Sequence, residues 1–316
     1  MPSSDATEQH RRRDLPAGSA AQPDSVWRLR DLTLGFPRPL AVGIVNVTED
    51  SFFEGARSGT PRDAIGDGLR LTREGFDLLD VGAVAAAAGP PVPVEEEIAR
   101  LIPTIEGLAA RGVPIVADTF VPQVAREAVV AGAAAINDTS GGRDPAMLEL
   151  VAELECGLVV MHTEGPPRES RDPRSYDDPV EYLRAWFAER IGAARAHGVR
   201  SQQVALDPGF DFDLSVEDDL EVLARLGELG ELGRPLFVAL SRKDFLGAVL
   251  AGSWEDRAPA EDREWATAAA VALAVASGAQ MFRLHDRSVL DSMRVAHRIT
   301  SGKSTSGPGG GRPVGG

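Results

Sequence analysis

Eight short apolar runs in this chain each stop at side chains able to bind or react. The runs lie near residues 41–46, 78–83, 113–118, 134–138, 157–162, 203–207, 235–241 and 280–285. In order they end in Asn46; Asp80; Asp118; Asn137 and Asp138; His162; Asp207; Ser241, Arg242 and Lys243; and Arg283 and His285. Taken singly, an Asp, Asn or Ser after a strand is a capping residue at a turn. Agreement among all eight points instead to a shared site. A carboxylate accepts two hydrogen bonds, whereas an amide both gives and takes, so Asp and Asn together can satisfy the donor–acceptor edge of a flat heterocycle. Arg and His beside them suit phosphate oxygens, and Lys adds a compact positive charge. Other chemistries lack their residues. His10, His162, His197, His285 and His297 show no HExxH or paired spacing for a metal-only site, and no GxSxG turn carries a serine nucleophile. His197 and His297 fall on helical stretches, where a solvated role is the simpler reading.

The segments between these runs have helical period, so the pattern is one of repeated βα units. Helices are expected from Val94, Pro122, Asp177, Ser215 and Glu264, several opening on a start signal such as Ser215 with Asp218. Eight units in roughly 260 residues predict a single (β/α)8 TIM barrel, whose active face is formed by the C-terminal strand ends. A doubly wound sheet is the alternative, but GxGxxG and GxxxxGK[ST] are both absent. No repeat of fixed length indicates a solenoid. The barrel is expected over residues 27–300. Residues 1–26 and the Gly/Ser-rich 301–316 lack periodicity and are expected to be disordered.

The chain has 316 residues, 43% of them hydrophobic, and 33 Lys and Arg against 48 Asp and Glu leave a net charge of −15. That balance disfavours nucleic-acid binding. A single cysteine, Cys156, excludes a disulfide framework and agrees with a reducing, cytoplasmic setting; it is expected buried at the start of a strand. There is no uncharged apolar run of about 18 residues, and Arg11, Arg12 and Arg13 have no apolar stretch behind them, so neither membrane spanning nor secretion is expected. The helix EWATAAAVALAVASGA, apolar or small almost all round, is expected to be covered on more than one side, by a second copy among other candidates.

The segments GIVNVTEDSF, ADTF, INDTSGG, LDPGF, LSRKDFLG and FRLHD, in this order, resemble those of dihydropteroate synthases, and the resemblance covers nearly all of residues 38–300. Such enzymes join 4-aminobenzoate to a dihydropterin pyrophosphate. The resemblance implies a (β/α)8 barrel and a homodimer. It implies a pterin pocket lined by Asp118, Asn137, Asp207 and Lys243, with Met161 and Phe212 as its apolar surface. It also implies that Asn46, Arg283 and His285 hold the pyrophosphate, Asn46 also through Mg2+, and that Asp118, Lys243, Arg283 and His285 carry the catalysis.

Three departures stand out. Where the family carries DVGGESTRPG this chain reads DVGAVAAAAG at 80–89, with Val84, Ala85, Ala86, Ala87 and Ala88 in place of every polar group. Losing an arginine and its neighbouring hydroxyls is expected to remove roughly 2 to 5 kcal/mol of second-substrate binding, a loss of about 30-fold to several thousand-fold. After the sixth strand, Asp211 and Asp213 between Phe210, Phe212 and Leu214 are expected to make the rim more acidic, and Glu49 stands where Pro is usual. The sequence therefore supports an active dihydropteroate synthase, or a divergent paralogue that binds a pterin pyrophosphate without making dihydropteroate or with another acceptor. A pterin-dependent methyltransferase domain shares the barrel, but LSRKDFLG and FRLHD supply cations for a pyrophosphate it never meets.

Overall fold

In a computed structural model, residues 26–47, 59–85, 89, 91–169 and 171–302 are described. The expected disordered ends fall, for 1–25 and 303–316, outside the described residues, as do Glu49 and Ala86 to Ala88.

Alternation of inward and outward side chains along each strand builds the molecule. The strands β3 (Leu40–Asn46), β4 (Leu78–Gly82), β5 (Ile115–Asp118), β6 (Ala135–Asp138), β7 (Gly157–Met161), β8 (Val204–Asp207), β9 (Phe237–Val238) and β10 (Met281–Leu284) form one parallel sheet. Its order is β8-β7-β6-β5-β4-β3-β10-β9, and a bridge between Leu206 and Leu236 joins its two ends. The result is the (β/α)8 barrel that the periodicity predicts. One set of strand residues, Leu40, Val42, Leu78, Val116, Ala135, Val159, Ala205, Phe237 and Met281, packs inside the barrel. The alternate set, including Val81, Ala117, Ile136, Val160 and Leu206, packs outward against the helices.

Those helices are α1 (Pro61–Glu74), α2 (Val94–Ala109), α3 (Pro122–Val130), α4 (Pro145–Leu154), α5 (Pro179–Ala196), α6 (Val216–Ala224), α7 (Asp244–Ala251), α8 (Glu264–Ala276) and α9 (Arg287–Thr300). The predicted start of α6 holds: Ser215 Oγ accepts from the Asp218 amide. The helix expected to continue from it breaks after Ala224 into a 3₁₀ stretch, Leu226–Leu232. That stretch is rich in glycine, which favours neither a regular helix nor a strand.

An antiparallel hairpin, β1 (Val26–Leu29) with β2 (Leu32–Gly35), precedes the barrel and was not expected from the sequence. It inserts the fully buried Trp27 and Leu29 into the inner layer, so it plugs the N-terminal end of the barrel. Trp27 Nε1 donates to the Gln203 carbonyl at 2.8 Å. Gly157 admits the plug, since a Cβ there would lie 2.5 Å from Leu29 Cδ2. With the bottom stopped by apolar packing, only the C-terminal mouth is left to take a ligand.

Candidate active site

The polar ring is the next inward layer of the same strands. Two residues beyond inner-layer Leu78, Val116, Ala135, Val159, Ala205 and Met281 stand Asp80, Asp118, Asn137, Met161, Asp207 and Arg283. Register aligns Asn46 with Gly82, Gly82 with Asp118, Asp118 with Asn137, and Met161 with Asp207. Strand pairing thus delivers residues far apart in the chain to one level of the barrel.

Arg283 ties this level together. Its Nε donates to Asp80 Oδ2 and its Nη2 to Asp118 Oδ2 at 3.3 Å, while the Asn137 amide nitrogen lies 3.4 Å from Asp80 Oδ1. Asn137 Oδ1 is buried and has no protein partner, so it offers an acceptor to whatever enters the barrel. One guanidinium cannot neutralise every carboxylate crowded here. Burial first, then Asp80, pushes the Asp118 carboxyl up to about 8, against the pull of Arg283. Burial likewise raises Asp207 to about 6, although the Gly209 amide donates to its Oδ1 at 2.9 Å.

Lys243 approaches from the seventh strand–helix junction. Its Nζ donates to the Phe210 carbonyl at 2.6 Å and sits 4.7 Å from the Phe212 ring centroid, so Phe212 holds the cation by its π face. His285 Nδ1 lies 2.9 Å from Ser241 Oγ. Burial, together with Arg283, Arg242 and Lys243, pushes the imidazole down to about 3, leaving it neutral at physiological pH. Asn46 is half-buried at the end of β3 and Met161 is buried at the end of β7. The structure therefore gathers Asp118, Asn137, Asp207, Lys243, Arg283 and His285 with Asn46, Met161 and Phe212 around one mouth.

Four strand-end residues do not join them. Asp138 and His162 have outward parity. Asp138 accepts from the amides of Ser140 and Gly142 in its own turn. His162 packs edge-on to Trp186, with Nε2 3.2 Å from Glu164 Oε1. Glu164 also accepts from Tyr176 and Tyr182, and His162 first among these partners holds its carboxyl down at about 2. Arg242 turns to Asp286, with Nη2 to Oδ2 at 2.9 Å. Ser241 stays at the edge as the partner of His285.

The expected acidic rim is not formed. Asp211 Oδ1 accepts from the Phe245 amide at 2.7 Å and its other oxygen from the Asp244 amide, so this carboxylate caps the N-terminus of α7, one residue beyond Lys243. Asp213 is buried and accepts from Arg171 Nε at 2.8 Å, from Thr163 Oγ1 and from the Glu164 amide. Both charges are spent on holding loops in place.

Sequence reasoning noted Asp80 as a strand end but gave it no role, and the structure makes it the fully buried partner of Arg283. The signal was available: Asp80 shares inward parity with Leu78. Cys156 is buried beside β7 as expected, and burial pushes its thiol up to about 12.

Residues 42–285 match the family of pterin binding enzymes. The chain belongs to that family. It is 34% identical over 274 residues to the dihydropteroate synthase of Escherichia coli K12, covering 86% of this chain and 95% of that protein. It is 40% identical over 282 residues to a Mycobacterium leprae protein named inactive dihydropteroate synthase 2, covering 86% of this chain and 93% of the relative. The solved Xanthomonas albilineans dihydropteroate synthase with 4-aminobenzoic acid superposes with a TM-score of 0.78 at 39% identity, covering 88% of this chain and 98% of that one. No helix among the described residues is long and apolar enough to cross a membrane.

Proposed function

We propose that this pterin-binding barrel is a dihydropteroate synthase, a transferase that condenses 6-hydroxymethyl-7,8-dihydropterin pyrophosphate with 4-aminobenzoate. The observation that carries this reading is the inward layer itself: the carboxyls of Asp118 and Asp207 and the amide of Asn137 at one level of the barrel, with Arg283 bonded among them and Lys243 at the adjoining strand–helix junction. Asp118, Asn137 and Asp207 read the amino and amide edge of the pterin, and Met161 and Phe212 cover its faces. The bond from the methylene carbon to the pyrophosphate oxygen breaks, with its electron pair leaving on oxygen. The arylamine nitrogen forms the new C–N bond and then gives up its proton to water.

Electrostatics does most of this work. Arg283 and Lys243 face the developing negative charge on the leaving group, and an ionised Asp118 favours the developing cation on the ring. His285, neutral and oriented by Ser241, can donate one ring N–H to the anion. Asn46 fits a role toward Mg2+: it offers one amide oxygen at the mouth, and Mg2+ with a diphosphate needs few protein ligands. When bound there, Mg2+ neutralises leaving-group charge.

The loop from Val84 to Ala88 and the 40% identical relative named inactive favour a second reading, a paralogue that keeps the pterin half of the site without this acceptor. Pyrophosphate release from the dihydropterin pyrophosphate with Mg2+, measured with and without 4-aminobenzoate, separates the two. Release that depends on 4-aminobenzoate is expected. Release independent of it would assign the second reading, and no release at all would leave pterin binding without turnover.

We also infer a cytoplasmic homodimer, from the lone reduced cysteine and from the surface of α8 and α9. These neighbouring helices expose Trp265 (81%) and Leu273, and Val295 and Ile299 (75%), apolar side chains that a second copy would cover. Sedimentation velocity at micromolar concentration should give twice the chain mass, and Trp265→Glu should shift it to the monomer.

A further inference from the structure

Lys243 differs from the rest of the ring in how it is held. Asp80, Asp118, Asn137, Asp207 and Arg283 all sit on the ladder of parallel strands, which fixes their level in the barrel. β9 ends at Val238, so strand pairing stops well before Lys243. Its Nζ is nevertheless delivered to one place, the Phe210 carbonyl and the face of Phe212. A lysine side chain is long and rich in rotamers, so the backbone that carries it must be pinned by other means.

The pins come from α8 and the residue that opens it. Arg242, immediately before Lys243, has φ of 61°, a left-handed conformation that a side chain of this size holds only when its surroundings impose it. Its amide donates to Thr267 Oγ1 at 3.0 Å, and its carbonyl accepts from Arg263 Nη1 at 2.8 Å. The same Nη1 donates to the carboxylate of Asp244, immediately after Lys243. One guanidinium thus grips the chain on both sides of Lys243. From the loop after β8, Asp211 accepts from the Asp244 amide, so Asp244 is held at backbone and side chain together. Arg263 is itself fixed: it is 5% exposed, and its Nε donates to the Ala258 carbonyl at 2.6 Å. Gly247 leaves the room it fills, since a Cβ there would lie 2.5 Å from Arg263 Nε. Arginine is rarely buried unless paired, and here the pairing is with the two residues that flank Lys243.

We propose that Arg263, which no strand end carries, is a positioning residue for Lys243: by holding Arg242 and Asp244 it fixes the point from which the ammonium meets the substrate. The proposal rests on the part of the synthase reading that brings a dihydropterin pyrophosphate to Lys243. A lysine whose backbone is already pinned has less freedom to lose when the substrate arrives, and it meets the substrate at a set distance. Without the grip, Lys243 spreads over several positions and only some of them reach the ligand. Arg263 therefore acts through Lys243, and its effect on the substrate must vanish when the Lys243 side chain is absent.

The test is a double-variant cycle read on the calorimetric Kd for the dihydropterin pyrophosphate, with dihydropteroate formation followed in parallel. In the otherwise native protein Arg263→Gln should weaken binding by about ten-fold, the value of one charged contact. In the Lys243→Ala background the same substitution should change Kd by less than about two-fold, because the side chain that Arg263 places is gone. Arg263→Lys keeps the charge without the planar fork and should fall between. Arg257 Nε lies 3.2 Å from Asp244 Oδ1, so Asp244 keeps a cation in either variant. If Arg263→Gln melts too early to assay, Arg263→Lys carries the cycle. A purely structural role would weaken binding by the same factor with or without Lys243, and that additivity would overturn the proposal. Coupled losses without dihydropteroate formation would sustain it while removing the synthase reading, and dihydropteroate formation with additive losses would do the reverse. Failure of the native protein to bind the dihydropterin pyrophosphate would overturn both.

Discussion

Replacing Asp118 by Asn should yield a protein that is more heat-resistant and nearly inactive. The Asp118 side chain is only 14% exposed and shares Arg283 with Asp80, so its ionisation is opposed by burial and by a neighbouring carboxylate. With its carboxyl pushed up to about 8, against 3.8 ordinarily, the folded chain holds a proton that the unfolded chain releases between those values. More protons bound in the folded state means that stability falls as pH rises from about 4 to about 8. Asparagine cannot ionise, so the variant escapes this fall. Its advantage should be smallest near pH 4 and widen steadily toward pH 8, where its melting temperature should stand clearly above that of the native protein. Activity moves the other way, because an amide cannot face the developing pterin cation with negative charge. A loss of about 10²- to 10³-fold in kcat is expected. Calorimetric melts across pH and steady-state rates check the pair of effects. An Asn variant that melted below the native protein at pH 8 would show that Asp118 is ionised and paired in the resting fold.

Most of this site was legible before the structure, for a specific physical reason. Parallel barrel strands put every ligand-facing residue at one chemical position, the last inward side chain before a turn, so Asn46, Asp118, Asn137, Asp207 and Arg283 announce themselves as polar ends of apolar runs. What strand ends alone do not disclose is which way the final residue points. Asp138 and His162 lie one residue past the inward position and face out to a turn and to Trp186. Counting parity from Val159 or Ala135 would have separated them. Long-range partners are harder to read. Asp211 and Asp213 look like rim charge in sequence, and only folding brings the α7 amides and Arg171 to them. The hairpin of Val26–Leu29 was missed because two four-residue strands leave almost no periodic signal, and its meaning lies in a plug position that no local pattern states.

The largest structural effect should come from Asp80→Ala. Asp80 is fully buried, and its carboxylate accepts from Arg283 Nε and lies opposite the Asn137 amide. Removing one partner of a buried ion pair leaves the other charge without its compensation, which costs about 3 to 5 kcal/mol. Here Asp118 stands 3.3 Å from the same guanidinium and can take over part of the pairing, so a cost near 3 kcal/mol is expected, or roughly 6 to 12 °C in melting temperature. Asp118 should then ionise more readily, because the neighbouring carboxylate that helped to raise it is gone. The alkaline decline in stability should accordingly be shallower in Asp80→Ala than in the native protein. Turnover should drop by about 10²-fold, since Arg283 loses the contact that aims it at the leaving group. The decisive comparison is the double variant Asp80→Ala with Asp118→Asn. If Arg283 is held by these two carboxylates, each substitution is tolerable while the other remains. The pair together must then cost well over 1 kcal/mol more than the sum of the singles. Additive losses in denaturant titrations would mean that the two carboxylates act independently, and the guanidinium would not be the keystone of the site.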